Sequence, residues 1–123
     1  MNEQAIFDQV SDSEIPNYGL SEGLRFLLEK KEALIELCTK HQLSKLYVFG
    51  SALSQKFSDS SDIDFLIQFK DIPFDQYTDH YFELHEDLEA LLGKKIDLIT
   101  DKSLSNTFFI EKLINKRVLL YAA

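Results

Sequence analysis

Two aspartates at the start of an apolar segment restrict what this chain can fold into more than any other feature. Asp62 and Asp64 flank Ile63 and lead into residues 65–69, which have the aromatic and branched character of a strand. Aspartate is uncommon in strands, and alternate strand residues point to the same face. The two carboxylates would therefore lie roughly 6–7 Å apart along one face. Such a pair repels unless a cation lies between its members, so the pattern predicts a divalent metal site.

A third aspartate, Asp97, occupies the middle of another predicted strand at residues 95–100. An unpaired carboxylate there would be costly to bury and would tend to take up a proton. Hard cations such as Mg²⁺ prefer oxygen ligands, so three carboxylates that converge on two Mg²⁺ ions would remove this cost. Two such ions can hold the attacking and leaving oxygens of a phosphoryl displacement.

Gly50 and Ser51 complement the aspartates. They follow a predicted strand at residues 45–49 and precede a predicted helical turn at 52–55. A strand that runs through glycine into a helical turn presents backbone N–H groups, which favour phosphate. Gly50 would let phosphate approach closely, and the Ser51 hydroxyl can donate a further hydrogen bond. We therefore expect phosphate at one end of the site and metal at the other.

Plainer interpretations of these residues stay open. Asp62 and Asp64 could be solvated residues of a turn that precedes the strand. Asp97 could pair with Lys94, Lys95 or Lys45 as a structural partner. Ser51 could cap a helical turn without binding a ligand.

The chain is long enough for one domain with a real core. Residues 1–20 have weak periodicity and contain Pro16 and Gly19, so we expect a mobile or loosely packed leader there. Residues 21–123 predict a single domain. Cys38 falls on an apolar helical stripe and is interpreted as a small core residue, and a lone cysteine fits a reducing compartment.

Apolar residues recur at helical spacing over 21–41 and 74–92, and Gly93 is suited to end the second helix. This second helix is long enough for a right-handed crossover that places Asp97 beside the other aspartates. Two elements are predicted near the end of the chain, a helix that opens at Ser103 or Ser105 and an edge strand at 117–121. The expected fold is α/β (α+β), a small mixed β-sheet with helices mainly on one face.

Aromatic and histidine side chains on the long helix have two expected roles. Phe74, Tyr77 and Tyr81 are interpreted mainly as core residues, with part of the series available as a partner surface. His80 and His85 lie five residues apart and therefore do not share a helix face. We interpret both as solvated residues and predict no zinc site.

The charge balance excludes some partners. The formal net charge of −8 argues against a long nucleic-acid polymer, because proteins that bind one usually carry a basic stripe. No direct DNA or RNA binding is therefore expected, whereas a small anionic substrate carried by Mg²⁺ is compatible with this charge. No apolar stretch is long enough to span a membrane and no signal peptide is recognised, so we expect a cytoplasmic protein.

Together these motifs resemble those of a known superfamily. A strand, Gly50-Ser51, about ten residues, Asp-x-Asp and a later strand aspartate form the pattern of nucleotidyltransferases related to DNA polymerase beta. The segments Lys-Lys-Ile-Asp-Leu-Ile-Thr from residue 94 and Arg-Val-Leu-Leu-Tyr from residue 117 resemble the minimal nucleotidyltransferase (MNT) group. The resemblance runs from about residue 22 to 121 and implies the polymerase beta-like fold.

The resemblance implies a role for each motif residue. Gly50 and Ser51 would hold the terminal phosphates of ATP, the nucleotide donor. Asp62 and Asp64 would bind two Mg²⁺ ions, and Asp97 would complete one metal site and act as the base toward the attacking hydroxyl. The implied reaction is attack on the α-phosphate, which transfers a nucleotidyl group and releases pyrophosphate.

Minimal members of this group resemble antitoxins, typically encoded beside a small helical HEPN-domain ribonuclease, and are thought to adenylylate a tyrosine of that toxin. The resemblance therefore implies a HEPN-type partner and AMP transfer, and a homo-oligomer is compatible with it. Two alternatives stay open: a catalytically weak antitoxin that neutralises its partner by binding alone, and an orphan nucleotidyltransferase with a small-molecule acceptor.

One departure from the group concerns the residues after Gly50-Ser51. Many members have an arginine soon afterwards, whereas the next three residues of this chain are uncharged. Lys56 is the nearest cation, and it is the residue that we expect to reach a phosphate.

Overall fold

The computed structural model describes residues 4–9, 21–100 and 117–123. Its elements, in chain order, are α1 Ile6–Gln9, α2 Glu22–Glu29, α3 Lys31–Lys40, β1 Leu43–Phe49, a 3₁₀ turn Gly50–Leu53, β2 Ile63–Phe69, α4 Phe74–Leu92, β3 Ile96–Thr100 and β4 Val118–Ala122. The predicted helix that opens at Ser103 or Ser105 lies outside the described residues. None of the described helices is long and apolar enough to cross a membrane.

The four strands form one mixed sheet in the order β3-β2-β1-β4. β1 is antiparallel to both β2 and β4, whereas β2 and β3 run parallel. Parallel neighbours need a crossover, and α4 supplies it between β2 and β3. The mixed sheet, the crossover helix α4 and the edge strand β4 confirm the predicted topology.

Alternation along β2 separates the two faces of the sheet. Ile63, Phe65 and Ile67 are fully buried in the larger core, which also takes in Leu84 and Leu88 of α4. The opposite face holds a smaller cluster of Ala5, Tyr47, Leu66 and Leu119. The helices α2, α3 and α4 all contribute to the larger core, so the prediction of helices mainly on one face is confirmed.

The helix predicted over 21–41 is divided in two. Lys30 leaves the helical conformation with φ −102° and ψ 14°, and its N–H bonds to the carbonyls of Leu27 and Leu28. This 3₁₀-type bond tightens the end of α2, and α3 resumes with the N–H of Leu34 bonded to the carbonyl of Lys30. Cys38 is buried on α3 as expected, and burial raises the pKa of its thiol to about 12.

Part of the predicted leader packs on the domain. In the described piece, residues 4–9, Ala5 and Phe7 are buried, and α1 lies against β4. The loose packing expected there is not observed for this piece, because an apolar Phe7 side chain joins the larger core and leaves water. The rest of the leader lies outside the described residues, so the division at residue 20 stays a prediction.

Candidate active site

The chain leaves β1 through the 3₁₀ turn Gly50–Leu53, which packs against the aspartate-bearing strand β2. Gly50 has φ +75°, a left-handed conformation that favours glycine. A Cβ built on Gly50 would collide with Oδ2 of Asp64 and lie 3.2 Å from its Cγ. Close contact with a carboxylate therefore requires glycine here, a reason that the sequence pattern did not reveal.

Serine hydroxyls fix the turn on both sides. Ser51 Oγ donates to the backbone carbonyl of Asp62 at 3.2 Å and so bonds the two motifs to each other. On the other side, Ser21 Oγ donates to the carbonyl of Ala52 at 2.7 Å and accepts from the N–H of Leu24 at 3.1 Å. The N-terminus of α2 thus holds the turn in place while Ser21 caps the helix.

Asp64 and Asp97 lie opposite each other on the parallel strands β2 and β3, which confirms the predicted placement of Asp97 beside Asp64. Asp64 is half-buried and Asp97 is exposed. Burial, then the hydrogen bond to Asp97 and the charges of Asp97 and Asp62, together raise the pKa of Asp64 from 3.8 to about 6. A cation beside the two carboxylates would relieve this repulsion, so the pair has the electrostatics of a metal site.

Asp62 is not part of this pair, although its charge acts on Asp64. Asp62 is exposed and precedes β2, which begins at Ile63 instead of Asp62. Over residues 4–9, 21–100 and 117–123, no three histidine, cysteine, aspartate or glutamate side chains are grouped closely enough to hold a metal ion. Carboxylate oxygens are suitable ligands for a hard divalent cation. Of the three aspartates, Asp64 and Asp97 are the two that lie next to each other.

Lys56 is exposed, and its backbone N–H donates to Ser54 Oγ at 3.1 Å. Its expected contact with a phosphate stays a prediction.

Lys94 has a role that the sequence did not indicate. Its ammonium donates to the backbone carbonyls of Ser58 and Asp59 at 3.1 and 2.8 Å, and it lies 4.8 Å from the ring centre of Phe57. These contacts hold the loop that leads into Asp62. Lys94 is one of the lysines considered as a partner of Asp97, and the structure shows it bound to this loop.

A cleft of about 530 Å³ opens over the paired carboxylates. Its walls come from β1, β2, β3 and α4, and its lining includes Asp64, Tyr81, His85 and Asp97. An acceptor group that enters this cleft would meet the carboxylates directly. The cleft therefore joins the candidate metal pair to one side of α4.

Tyr81 and His85 were not predicted at the site. Tyr81 donates its hydroxyl to the carbonyl of Leu98 at 2.6 Å, and His85 Nε2 donates to the carbonyl of Ile96 at 2.8 Å. The solvated role expected for His85 is therefore wrong. These bonds join a helix to a strand eleven or more residues away in the chain, so local periodicity carries no trace of them.

His80, the residue before Tyr81 on α4, is also engaged. Its Nδ1 lies 3.2 Å from Nδ1 of the fully buried His41, whose Nε2 lies 2.8 Å from Oδ2 of Asp87. Hydrogen bonds from His41 and then Lys40 hold the pKa of Asp87 below its usual range. The solvated role expected for His80 is wrong, because this cluster ties α3 to α4.

The model of one protein family matches most of the chain. The polymerase beta nucleotidyltransferase family covers residues 32–123. The protein adenylyltransferase MntA of Thermococcus cleftensis is 34% identical over 84 residues, which span 64% of this chain and 82% of that protein. A Methanocaldococcus jannaschii protein is 35% identical over 89 residues, which span 72% of this chain and 85% of that protein.

Solved structures show the same fold. A toxin–antitoxin crystal structure with AMP-PNP has a TM-score of 0.60 at 22% identity, with 76% of this chain and 73% of that chain covered. A tri-AMPylated HEPN toxin of Shewanella oneidensis in complex with MNT antitoxin gives a TM-score of 0.54 at 22% identity, with coverage of 76% and 71%. The chain is a minimal nucleotidyltransferase of the polymerase beta-like nucleotidyltransferase family.

Proposed function

We propose that this chain transfers AMP from ATP to a tyrosine hydroxyl of a HEPN-type toxin, with Mg²⁺, and so acts as an antitoxin in the cytoplasm. The observation that carries the proposal is the Asp64–Asp97 pair, which lines a cleft and whose Asp64 lies against Gly50. A relative of this chain is named protein adenylyltransferase MntA, and a structure of the same fold contains an AMPylated HEPN toxin with an MNT antitoxin.

The site residues would have three roles: metal binding, phosphate binding and proton transfer. Asp62, Asp64 and Asp97 would hold Mg²⁺, which would neutralise charge on the phosphates when bound. Gly50 and Ser51 would bind the terminal phosphates, with Lys56 reaching one of them. Asp97, the exposed member of the pair, would take the proton of the acceptor hydroxyl.

The reaction balances without a further reactant. The acceptor oxygen forms a bond to the α-phosphorus of ATP, and the bond from that phosphorus to the bridging oxygen breaks. Pyrophosphate leaves, and the proton of the hydroxyl passes to the carboxylate. The product is an AMP ester of the acceptor side chain.

The surface of α4 supports delivery of the acceptor by a protein. Phe74 is 91% exposed and Phe82 is 61% exposed, against the expectation that Phe74 belongs to the core. Exposed large aromatics are typical of partner surfaces. The nineteen residues of α4 include acidic side chains such as Asp79 and Glu83 and contain neither lysine nor arginine. The surface therefore suits a basic partner with an apolar contact.

The test is to incubate the protein with ATP, Mg²⁺ and the protein encoded beside it, and to weigh the neighbour by intact mass spectrometry. We expect a gain of one or more AMP units. The gain should disappear in Asp62→Asn/Asp64→Asn and persist in the control Asp8→Asn/Asp71→Asn, which removes two exposed carboxylates outside the site and outside α4. No mass gain with the wild-type protein would contradict AMP transfer.

A second candidate is an antitoxin that neutralises its partner by binding alone. It is favoured by the absence of a basic side chain from Gly50 through Gln55 and by the Ser51 hydroxyl, which is bonded to the Asp62 carbonyl. In that case the toxin would be inhibited without a mass gain, and the Asp62→Asn/Asp64→Asn variant would inhibit as well as the wild-type protein.

A further inference from the structure

Three side chains at four-residue spacing on α4 bind the outer edge of β3. Tyr81 Oη donates to the Leu98 carbonyl at 2.6 Å and His85 Nε2 donates to the Ile96 carbonyl at 2.8 Å. The N–H of Ile96 donates to Glu89 Oε2 at 3.1 Å. We call Tyr81, His85 and Glu89 the α4 clamp.

The clamp surrounds one residue. Ile96 and Leu98 are the chain neighbours of Asp97, and successive peptide groups of a strand point to opposite edges. Because the carbonyls of Ile96 and Leu98 face α4, the carbonyl of Asp97 faces β2. The N–H of Ile63 on the β2 side bonds to the Lys95 carbonyl at 3.0 Å, in agreement with this alternation.

Among the strands of the described residues, β3 lies at an edge of the sheet and therefore needs this support. It pairs with β2 on one side, and its other side would present unpaired N–H and carbonyl groups. The clamp satisfies three of those groups at Ile96 and Leu98. Within the clamp, Glu89 Oε1 lies 3.8 Å from Nδ1 of the His85 imidazole.

Two residues of the clamp also line the cleft. Tyr81 and His85 line the same cleft as Asp64 and Asp97, and the exposed Asp97 carboxylate lacks the burial that would fix it by packing. The position of Asp97 therefore depends on the backbone of β3 on its two sides. A general cap for an edge strand would not need to concentrate on the two residues that flank the site.

We propose that the α4 clamp is a positioning device that holds the backbone of Asp97 opposite Asp64, so that the two carboxylates can share a cation. Tyr81, His85 and Glu89 are positioning residues in this role. The consequence for catalysis rests on the proposed function, whereas the effect on β3 does not.

The test compares Tyr81→Phe/His85→Leu, which removes two donors, with Tyr81→Phe/His85→Gln, which restores one. Tyr121→Phe on the far edge strand β4 is the matched control for the loss of a phenol hydroxyl. Amide hydrogen exchange of the metal-free protein is measured at β3 and at β1 by NMR. We expect faster exchange at Asp97 and Ile99 in the Leu variant, partial recovery in the Gln variant and no change at β1.

The second measurement is the affinity for Mn²⁺ alone, read by electron paramagnetic resonance. We expect an affinity loss of about tenfold or more in the Leu variant, as for other residues that orient metal ligands, and a smaller loss in the Gln variant. Unchanged β3 exchange, or a lower unfolding midpoint with unchanged Mn²⁺ affinity, would overturn the positioning role. Failure of the wild-type protein to bind Mn²⁺ would instead contradict the proposed function, and the exchange data would then still decide the effect of the clamp on β3.

Discussion

At the scale of single residues, Gly50 and Gly93 form a natural pair for comparison. Both have a positive φ, +75° and +64°, but a Cβ at Gly50 meets the Asp64 carboxylate whereas one at Gly93 meets nothing within 4 Å. Gly93→Ala should therefore cost about 1–2 kcal/mol of stability from backbone strain alone. Gly50→Ala should cost about 1–3 kcal/mol more, because the carboxylate must shift.

Urea unfolding of the two variants measures these costs, and the transfer assay measures their effect on function. Gly50→Ala should lose AMP transfer and Gly93→Ala should keep it. Equal stability losses in the two variants would mean that the Gly50–Asp64 contact has no energetic weight.

The raised pKa of Asp64 predicts a pH dependence of stability. A folded-state pKa of about 6 against 3.8 means that the native state binds this proton more tightly than the unfolded chain. Without metal, stability should therefore fall as the pH rises from about 4 to about 6, and the full cost should persist above that range. Since Asp64 is partly exposed, solvent screening reduces the effect to about 1 kcal/mol.

Asp64→Asn removes this cost. The metal-free variant should be more stable than the wild-type protein at pH 7 and should lose that advantage near pH 4, as measured by urea unfolding at both values. Mg²⁺ should stabilise the wild-type protein and leave the variant nearly unaffected. A constant difference between the two proteins from pH 4 to pH 7 would contradict the carboxylate pair.

At the scale of elements, Lys94 holds the loop that connects the 3₁₀ turn to β2. Lys94→Met keeps much of the apolar stem and removes two hydrogen bonds to the carbonyls of Ser58 and Asp59. Hydrogen bonds to a charged donor are worth about 1.5–3 kcal/mol each, but water can replace the ammonium at these exposed carbonyls. We therefore expect the free energy of unfolding to fall by about 1 kcal/mol. AMP transfer should fall several-fold, because Asp62 follows this loop.

The neighbouring Lys95 provides the control, since Lys95→Met removes the same charge at an exposed position. Amide exchange at residues 58–61 should accelerate in the Lys94 variant and stay unchanged in the Lys95 variant. The same exchange rates in both variants would show that Lys94 does not hold the loop.

Sequence reasoning predicted the elements that have a strong local period. Along β2, residues on the side of Ile63 face the larger core, and residues on the side of Asp64 face the opposite surface of the sheet. The helix α4 runs from Phe74 to Leu92, and Gly93 ends it in the left-handed conformation. Those features depend on near neighbours in the chain. The break at Lys30 has no such signal, because the buried Leu27 and Leu34 lie on a continuous helical stripe across it.

The same holds for the site: features that depend on near neighbours in the chain were predictable, and contacts between distant segments were not. Aspartates in strands are anomalous on their own, so Asp64 and Asp97 could be paired from sequence and topology. The contact of Gly50 with Asp64, and the bonds of Tyr81 and His85 to β3, join distant parts of the chain and appear once the fold is assembled. Periodicity placed His85 on a helix but could not show what that helix packs against.

At the scale of the whole molecule, charge and exposed aromatics indicate which kind of surface the proposed partner would need. The chain carries a net charge of −8, and Phe82 stands exposed on an acidic helix. Phe82→Ser should weaken binding of the proposed toxin by about tenfold, since exposed aromatics are frequent hot spots. Calorimetric titration measures this loss, and Gln76→Ala, an exposed change on the same helix, should have little effect.

ATP affinity separates this surface from the catalytic site. Phe82→Ser should bind ATP with Mg²⁺ as well as the wild-type protein, because Phe82 is not among the residues that line the cleft over Asp64 and Asp97. Undiminished toxin binding by Phe82→Ser would place the partner elsewhere on the molecule.

Nucleotidyl transfer differs from phosphoryl transfer in which phosphorus of ATP reaches the acceptor, so a radioactive label in ATP distinguishes the two reactions. The protein and its partner are incubated with Mg²⁺ and ATP labelled in the α-phosphate, or in parallel with ATP labelled in the γ-phosphate. We predict that the partner takes up the α label, that the γ label leaves as pyrophosphate, and that Asp97→Asn abolishes both. Uptake of the γ label, or of neither label, would contradict nucleotidyl transfer.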